Sequence, residues 1–225
     1  MKRPALMGIV NVTPDSFSGD GLLAEAAMAH ARAQAMAGGD ILDVGAESTR
    51  PGATSVDADS EWMRLEPVLR GVMDYPWAMG LRISVDTRHA QTADRALAMG
   101  VSIINDVEGL TQPDMLEILE PHACDIVVMH ALCVPADANQ VLPEDCLVVE
   151  EILQWKNAVT ARAAAHGIAA ERLIFDPGIG FGKTAVQSRQ LIEDAAQLKA
   201  SGGRWLVGHS RKSFLKPLMQ KTGQD

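Results

Sequence analysis

Seven polar groups along this chain each follow a short apolar run, and their residue types suit the binding of a small polar ligand. They are Asn11, Asp43, Asp86, Asn105, His130, Asp176 and the group Ser210-Arg211-Lys212. Carboxylates accept hydrogen bonds from N–H groups, amides both donate and accept, and basic side chains offer positive charge to anions. If the fold gathers these groups, the chain can bind a polar ring and a local anion in one site.

Short β-branched runs alternate with alanine-rich stretches of helical period, which indicates repeated βα units around a parallel sheet. Seven strands are predicted, at residues 5–12, 41–44, 82–86, 102–105, 125–129, 173–176 and 205–208. The predicted helices include residues 25–37, 60–73, 90–99, 148–166 and 185–199. Glycines 38, 39, 100 and 167 stand where helix C-caps are expected. Residues 132–144 have no apolar period and are predicted to form a loop.

The polar groups fall at the predicted carboxyl ends of the strands. In a closed parallel barrel these ends meet on one face, where barrel enzymes carry their active sites. An open doubly wound sheet also binds ligands at strand ends, but only where the strand order reverses, so fewer of the seven groups would meet. We therefore predict an α/β fold of the TIM (β/α)8-barrel type. No linker or shift in composition divides the chain, so residues 1–225 are predicted to be one domain.

The composition excludes several classes of protein. The 225 residues are 47% hydrophobic and 22% charged, which is typical of a globular domain and not of a disordered chain. A net charge of −9 argues against a nucleic-acid-binding protein. No run approaches the ~20 apolar residues of a membrane span, and Asn11 ends the only run that resembles a signal peptide. We expect a cytoplasmic protein that binds neither nucleic acid nor membrane.

Cysteine and glycine patterns indicate no other chemistry. The three cysteines form no Cys-x-x-Cys pair, so neither a disulfide framework nor a zinc site is predicted. Gly182-Lys183-Thr184 looks like the end of a P-loop, but Pro177 replaces the required first glycine. Gly208-His209-Ser210 looks like a hydrolase nucleophile elbow, but Lys212 replaces its second glycine. Neither ATP hydrolysis nor a serine nucleophile is supported.

Several segments resemble the dihydropteroate synthases in order along the chain. GIVNVTPDSF at residues 8–17 resembles the first signature of that family, although Thr-Pro-Asp-Ser alone is also ordinary turn chemistry. DVGAESTRPG at residues 43–52 resembles the second signature, with Ala46 where the family usually has glycine. The later segments are SVDT at 84–87, IND at 104–106, Met129-His130, DPGIGFGK at 176–183 and SRKS at 210–213.

The resemblance implies a transferase of folate biosynthesis. The family condenses 6-hydroxymethyl-7,8-dihydropterin pyrophosphate with p-aminobenzoate, giving 7,8-dihydropteroate and pyrophosphate. Its motifs assign pterin binding to Asp86, Asn105, Met129, Asp176 and Lys212. Asp176 is our first choice for the pterin edge, because a carboxylate can accept two parallel hydrogen bonds from the ring N–H and the exocyclic amine. An alternative is that Asp176 only caps the turn before Pro177.

The same resemblance implies the remaining roles. The p-aminobenzoate pocket comprises Phe17, Thr49, Arg50, Pro51, Phe181 and Ser213. Asn11 is expected to contact the pyrophosphate and its Mg²⁺, an ion that prefers oxygen ligands. Asn11, Asp15 and Lys212 are expected to act in catalysis, Asp15 by stabilising a pterin cation or by ordering its loop. Sulfonamides, which mimic p-aminobenzoate, are the expected inhibitors.

Some alternatives stay open at this point. Arg50 could be a solvated surface charge, and Asp43 and Glu47 could be structural carboxylates paired with arginine or backbone. His130 and His209 are equally ambiguous, because a lone histidine at a strand end is more often structural than catalytic. A pterin-dependent methyltransferase domain and a non-catalytic pterin-binding protein are the competing functions. Methyl transfer needs no p-aminobenzoate pocket, so the Thr-Pro-Asp-Ser-Phe and Ser-Thr-Arg-Pro-Gly loops favour the synthase.

The chain departs from the family at its end. Family members carry an eighth strand after the Ser-Arg-Lys-Ser segment, with an arginine and a histidine that contact pyrophosphate, whereas this sequence ends at Asp225. We expect the eighth βα unit to be missing, which would leave the first and seventh strands with unpaired edges. A sequence confined to the ordered part of the protein, a truncated chain, or a divergent paralogue that has lost activity would each explain this. A homodimer is expected, since family members usually dimerise through late helices.

Overall fold

Seven parallel strands and seven helices make up the described part of the chain. The computed structural model describes residues 3–13, 20–49, 54–75, 78, 80–137, 139–210 and 212. The strands are β1 (Met7–Asn11), β2 (Ile41–Gly45), β3 (Arg82–Asp86), β4 (Ile103–Asp106), β5 (Asp125–Met129), β6 (Leu173–Asp176) and β7 (Arg204–Trp205). The helices are α1 (Asp20–Met36), α2 (Ala58–Asp74), α3 (Ala90–Ala98), α4 (Pro113–Leu119), α5 (Val148–Ala165), α6 (Ala185–Glu193) and α7 (Ala195–Ala200).

The strands lie in the sheet in the order in which they occur along the chain, from β1 to β7, and every neighbouring pair is parallel. An open doubly wound sheet would reverse this order at a switch point. The observed order is that of a βα barrel, as predicted. In the described residues, β1 and β7 are the two edges of the sheet.

The sheet is curled, as contacts between short side chains on alternate strands show. The amide Nδ2 of Asn105 on β4 donates to Oδ2 of Asp43 on β2 at 3.0 Å. Two strands in a flat sheet would be separated by about 9.6 Å, which these side chains cannot bridge. Towards the opposite, amino end, Arg82 of β3 and Arg204 of β7 both bind Asp125 of β5. Side chains of alternate strands thus meet in layers on the inner face, as in a barrel.

The hydrophobic core lies between the outer face of the sheet and the helices. Leu42, Val44, Ile104, Ile126 and Val128 of the strands are fully buried, with Leu65 and Leu69 of α2 in the same cluster. A second cluster joins α5, α6 and α7 through Ile152, Leu191 and Leu198. The alternation of buried outer residues with polar inner residues explains why polar groups collect on the concave side. No helix in the described ranges is long and apolar enough to cross a bilayer.

The structure confirms the seven predicted strands and corrects three details. Helix α4 was not predicted; Pro113 begins it, where a missing N–H costs nothing. The single helix predicted at 185–199 is two helices, because Asp194 leaves the helical conformation between α6 and α7. Strand β7 spans only Arg204–Trp205 rather than residues 205–208. The predicted glycine caps are confirmed at Gly38, Gly100 and Gly167, which have positive φ angles, but not at Gly39, which does not.

Candidate active site

Five predicted pterin-binding or neighbouring side chains form what we call the polar mouth: Asp43, Asp86, Asn105, Asp176 and Lys212. Asp86 and Asn105 lie in register at the ends of adjacent strands. Asp43 lies beneath them, buried, and accepts the hydrogen bond from Asn105. A Cβ on Gly45 would lie 3.1 Å from Cβ of Asp86, so the glycine at this position leaves room for the Asp86 carboxyl group.

Asp176 ends β6 on the same side of the sheet. Its Oδ1 accepts a hydrogen bond from the backbone N–H of Gly178 at 2.8 Å, so the carboxyl group does cap the turn at Pro177. Its other oxygen, Oδ2, lies 3.4 Å from the Cβ position of Gly208, which follows β7. Asp176 is close enough to Asp43 for the two charges to interact. Capping therefore uses one oxygen and leaves the second facing the mouth.

Lys212 reaches the mouth from the segment after β7. Its Nζ lies 4.3 Å from the centroid of the Phe181 ring, a cation–π distance. Its Cδ lies 3.4 Å from the Cβ position of Gly180, so the stem crosses the loop that follows Asp176. The positive charge of Lys212 acts on Asp176. Asp176 and Lys212, both predicted to bind the pterin, are thus brought together with Phe181.

The mouth concentrates negative charge. Burial, together with the carboxylates of Asp43, Glu61, Asp106 and Glu47, raises the pKa of Asp86 well above its usual value. Burial also raises the pKa of Asp43, opposed by Ser84 and Asn105. Burial raises the pKa of Asp176 too, but the Gly178 N–H and the charges of Lys212 and Lys183 oppose that shift. Asp86 therefore binds a proton more readily than Asp176 does.

The remaining predicted residues with described positions line the same end. Met129 is buried at the end of β5, in register with Asp176. Asn11 is exposed at the end of β1. The backbone oxygen of Thr49 accepts a hydrogen bond from Ala136 N at 3.2 Å, which joins the loop after β2 to the loop after β5. Asp15, Phe17, Arg50, Pro51 and Ser213 lie outside the described residues.

An arginine that the sequence did not single out organises the loops. Arg88, just after β3, donates from Nε and Nη2 to both oxygens of Glu47 at 2.8 and 3.0 Å, and from Nη2 to Oγ of Ser55 at 2.7 Å. The backbone N–H of Val56 also donates to Glu47. Glu47 is therefore a structural carboxylate paired with arginine, one of the two alternatives left open. The sequence offered one signal for this pair: Arg88 is a basic residue just after β3, next to two acidic loops.

The two histidines left open by the sequence, His130 and His209, differ in burial. His130 is buried, and burial together with the charge of Lys183 lowers its pKa to about 3, so its ring is neutral. Lys183 Nζ contacts its Nδ1 at 2.8 Å. His209 is exposed. A neutral ring fixed by a lysine is structural rather than catalytic, and Lys183 itself is a buried charge that the sequence analysis left unassigned.

One cluster in the described ranges has the spacing of a metal site, but most of its donor atoms already bind other protein groups. Glu47, Glu61 and His89 place one donor atom each within 4.8 Å of one another. Glu47 binds Arg88 and Val56 N, and His89 Nε2 donates to the backbone oxygen of Val56 at 2.8 Å. Oε2 of Glu61 accepts from Thr87 at 2.6 Å. These hydrogen bonds join the loops after β2 and β3 to α2, and Oε1 of Glu61 is a buried oxygen of the cluster without a hydrogen-bond partner in the described residues.

Comparison with known sequences gives consistent relatives. A dihydropteroate synthase of Neisseria meningitidis serogroup C is 41% identical over 228 residues, covering 99% of this chain and 79% of that protein. A probable bifunctional folylpolyglutamate synthase/dihydropteroate synthase of Halobacterium salinarum is 42% identical over 215 residues. That match covers 95% of this chain and 26% of the relative, so the chain spans about a quarter of the bifunctional protein's length.

Solved structures agree. A dihydropteroate synthase from Anaplasma phagocytophilum, with bound 6-hydroxymethylpterin-monophosphate, has a TM-score of 0.86 at 35% identity and covers 95% of this chain and 81% of its own. One from Xanthomonas albilineans, with 4-aminobenzoic acid, has a TM-score of 0.85 at 38% identity and covers 99% and 78%. The family model described as pterin binding enzyme matches residues 7–225. The chain therefore belongs to the pterin binding enzyme family and, within it, to the dihydropteroate synthases.

Proposed function

We propose that this chain acts as a dihydropteroate synthase, joining p-aminobenzoate to the methylene carbon of 6-hydroxymethyl-7,8-dihydropterin pyrophosphate with release of pyrophosphate. One observation carries the proposal: polar groups from five separate segments, at residues 43, 86, 105, 176 and 212, meet at one end of the sheet. The related proteins of known structure that bind a pterin phosphate or 4-aminobenzoic acid share this fold.

The mouth suits a reduced pterin. Asp176 has one oxygen facing the mouth, and a carboxylate there accepts hydrogen bonds from the ring N–H and the exocyclic amine. Asn105 is oriented by Asp43, which leaves its amide oxygen to accept a further hydrogen bond. Asp86 in its protonated form donates to a ring nitrogen, whereas Lys212 approaches the ring's carbonyl oxygen. Met129 supplies an apolar surface against the flat ring.

The same charges favour the reaction. Breaking the bond between the methylene carbon and pyrophosphate leaves a cation delocalised into the pterin, and the amine of p-aminobenzoate attacks it. The carboxyl groups of Asp43 and Asp176 would lie beside the bound ring, and fixed negative charge there stabilises the positive charge without reorganisation. The arylamine is itself the nucleophile, so the protein supplies position and charge rather than a covalent intermediate.

Asn11 fits a Mg²⁺–pyrophosphate group. Its side chain is exposed at the end of β1, on the same face as the mouth, and an amide oxygen is a suitable ligand. Mg²⁺ usually takes one or two protein ligands together with substrate phosphate oxygens, so one residue is a sufficient anchor. When bound, the ion would neutralise charge on the leaving pyrophosphate. Asn11 would hold and orient that group.

The second substrate would lie beside the pterin. Phe181 and the stem of Lys212 form a wall next to Asp176, and Thr49 lies in the loop after β2. Arg50, Pro51, Phe17, Asp15 and Ser213 complete this assignment as predictions from the family motifs. Loops of this kind close over substrate in many enzymes. Cytoplasmic location and a homodimer also stay predictions; sedimentation of the purified protein would test the second.

The deciding experiment uses the purified protein with the pterin pyrophosphate, p-aminobenzoate and Mg²⁺. We expect dihydropteroate and pyrophosphate in equal amounts, inhibition by a sulfonamide that is relieved by added p-aminobenzoate, and loss of turnover on chelation of Mg²⁺. Omitting p-aminobenzoate is the control. Pterin binding without release of pyrophosphate would instead identify a non-catalytic pterin-binding protein.

A further inference from the structure

Lys183 is a buried lysine whose place is fixed by the structure around it. Its residue is only 6% exposed, in the loop between β6 and α6. The next residue, Thr184, begins α6 with a capping box: its side chain accepts from Gln187 N, and the Gln187 side chain accepts from Thr184 N. This double hydrogen bond anchors the backbone at Lys183. The side chain therefore points inward from a rigid position.

The Lys183 ammonium group has three acceptors. Nζ lies 2.8 Å from Nδ1 of His130, 2.9 Å from the backbone oxygen of Phe181 and 3.3 Å from the backbone oxygen of His130. An ammonium group has three N–H donors and no acceptor, so these contacts match its charged form. Nδ1 of His130 must then be unprotonated, which agrees with its lowered pKa of about 3.

The residues that Lys183 contacts also contact Asp176 and its turn. The backbone N–H of His130 donates to the backbone oxygen of Asp176 at 3.0 Å. Gly178, whose N–H donates to the Asp176 carboxylate, packs so closely on His130 that a Cβ would lie 1.9 Å from the His130 oxygen. The same Cβ position is 3.3 Å from Lys183 Nζ. Lys183 thus lies directly behind the turn that presents Asp176.

We propose that Lys183 is a positioning residue for the Asp176 carboxylate, holding the turn from Asp176 to Gly178 against the end of β5 and keeping a positive charge behind it. This rests on the proposed function, in which Asp176 binds the pterin edge. A protonated Asp176 would lose the acceptor that the ring N–H and amine need. Lys183 favours the ionised form in a mouth where burial and the Asp43 carboxylate disfavour it.

The charges that face Lys183 set its titration. They are Asp176 at the end of β6, Glu151 on α5, Cys146 in the loop before α5, Lys212 after β7 and the neutral His130. Burial lowers the pKa of Lys183 to about 7, although Asp176 and Glu151 oppose that shift. Below pH 7 Lys183 is charged, and this is the range in which Asp176 is most readily protonated. Above pH 7 Lys183 loses its charge, but Asp176 is then ionised without that charge.

The first test measures binding of the dihydropterin by calorimetry from pH 6 to pH 8.5 in the wild type, Lys183→Met and Lys156→Met. Lys156 is the matched control, because it also donates to a backbone oxygen, that of Ser201, but on the outside of the sheet. We expect Lys183→Met to bind at least about tenfold more weakly at pH 6, with the deficit narrowing as the pH rises. Comparing variants at each pH cancels the ligand's own ionisation. A constant deficit, or none, would overturn the proposal.

The second test needs no Lys183 variant to fold. Lysines labelled with ¹³C at Cε report their own titration, and we expect one signal to titrate near pH 7 in the wild type and at lower pH in Asp176→Asn. Coupling between two sites is reciprocal, so that shift measures the effect of Lys183 on Asp176. An unchanged titration would contradict the coupling. Failure of the wild type to bind the dihydropterin would overturn the proposed function, while this titration would still decide whether the two residues are coupled.

Discussion

Asp86 and Asp176 show how neighbours give two like side chains different states. Around Asp86 the nearby charges are the carboxylates of Asp43, Glu61, Asp106 and Glu47, and all raise its pKa. Around Asp176 the nearby charges include Lys212 and Lys183, which lower its pKa against the effect of burial. Environments that separate two pKa values assign the acid and the base of a site. Asp86 is therefore the donor and Asp176 the acceptor in the proposed pterin complex.

Replacing Asp176 by Asn should weaken dihydropterin binding by about 2 to 4 kcal/mol, because a buried partner loses a charge-assisted hydrogen bond. That corresponds to roughly 30- to 1,000-fold in Kd. Calorimetry at pH 7 measures it directly. An unchanged affinity would remove Asp176 from the pterin site.

Replacing Asp86 by Asn should cost less than about 1 kcal/mol at pH 7, because an amide resembles the protonated carboxyl group in size and can still donate. The affinity is measured by the same calorimetry at pH 7, with Asp176→Asn as the comparison. The contrast between the two variants is the informative result. Equal losses would show that both carboxyl groups act as ionised acceptors and would contradict the assigned proton.

At this scale the sequence predicted residue types better than partners. The positions of Asp86, Asn105 and Asp176 at strand ends followed from the alternation of apolar and polar residues. The pairing of Glu47 with Arg88 did not, because 41 residues separate them and the loop geometry that joins them is not encoded in any local pattern. Lys183 was likewise missed, since burial of a lysine depends on the loop fold around it.

At the scale of elements, the pair of Arg88 and Glu47 connects the start and the end of the loop after β2 to the start of α3. Replacing Arg88 by Met removes the ionic partner of the Glu47 carboxylate, whose side chain is 6% exposed, and leaves it only the Val56 N–H, so we expect a loss of about 2 to 4 kcal/mol in the free energy of unfolding. We also expect a higher KM for p-aminobenzoate, because that loop carries Thr49 and Arg50. Chemical denaturation and steady-state kinetics provide the two measurements.

Arg70→Met is the matched control for Arg88→Met. Arg70 binds Glu66 one helical turn away on the exposed face of α2, and such pairs contribute only about 0.5 kcal/mol. Arg70→Met should change neither the free energy of unfolding nor the KM for p-aminobenzoate measurably. If Arg88→Met behaves like Arg70→Met, Arg88 and Glu47 do not order the loop.

A second arrangement of charges joins β3, β5 and β7 near the amino end of the sheet. Burial alone would raise the pKa of Asp125, but Arg204 and Arg82 together lower it below its usual value. A lowered carboxyl pKa stabilises the fold above the unfolded pKa near 4, and that stabilisation is lost as the pH falls through the folded pKa. We expect Asp125→Asn to lose about 1 to 2 kcal/mol of unfolding free energy at pH 7, discounted because both arginines are partly exposed.

Thermal unfolding of Asp125→Asn and wild type from pH 3 to pH 7 tests this. The difference between them should shrink as the pH falls below about 4, because the wild-type carboxyl group then binds a proton. A difference that stays constant with pH would assign the loss to packing and not to charge.

Sequence patterns predicted elements well where hydrophobic periodicity was strong. The strands and the long helices satisfied this condition. Helix α4 has only seven residues, too few for a clear period, and the break between α6 and α7 follows from the backbone at Asp194, which no glycine or proline marks. The curl of the sheet was predicted only indirectly, from the number of polar strand ends that a barrel can gather.

For the whole molecule, the arrangement of edges is the main consequence of the fold. In the described residues β1 and β7 each have one neighbouring strand, and apolar side chains near them are exposed: Ile9 by 52% and Val207 by 40%. A parallel sheet with exposed apolar edges tends to pair with other chains. Asn11 lies on edge strand β1 too, so the proposed pyrophosphate site borders the open side of the sheet.

We therefore expect the purified protein to self-associate with rising concentration, because β1 and β7 each have one neighbouring strand in the described residues and apolar side chains lie near them. Dihydropterin binding should not depend on that association, because the pterin side chains come from β2 to β6 and Lys212 and not from β1 or β7. Analytical ultracentrifugation and calorimetry over the same range of protein concentration test the two halves of the prediction. A sedimentation coefficient that stays constant with concentration would show that the edge strands do not pair with other copies, and a dihydropterin affinity that changes with concentration would show that the polar mouth depends on the edges.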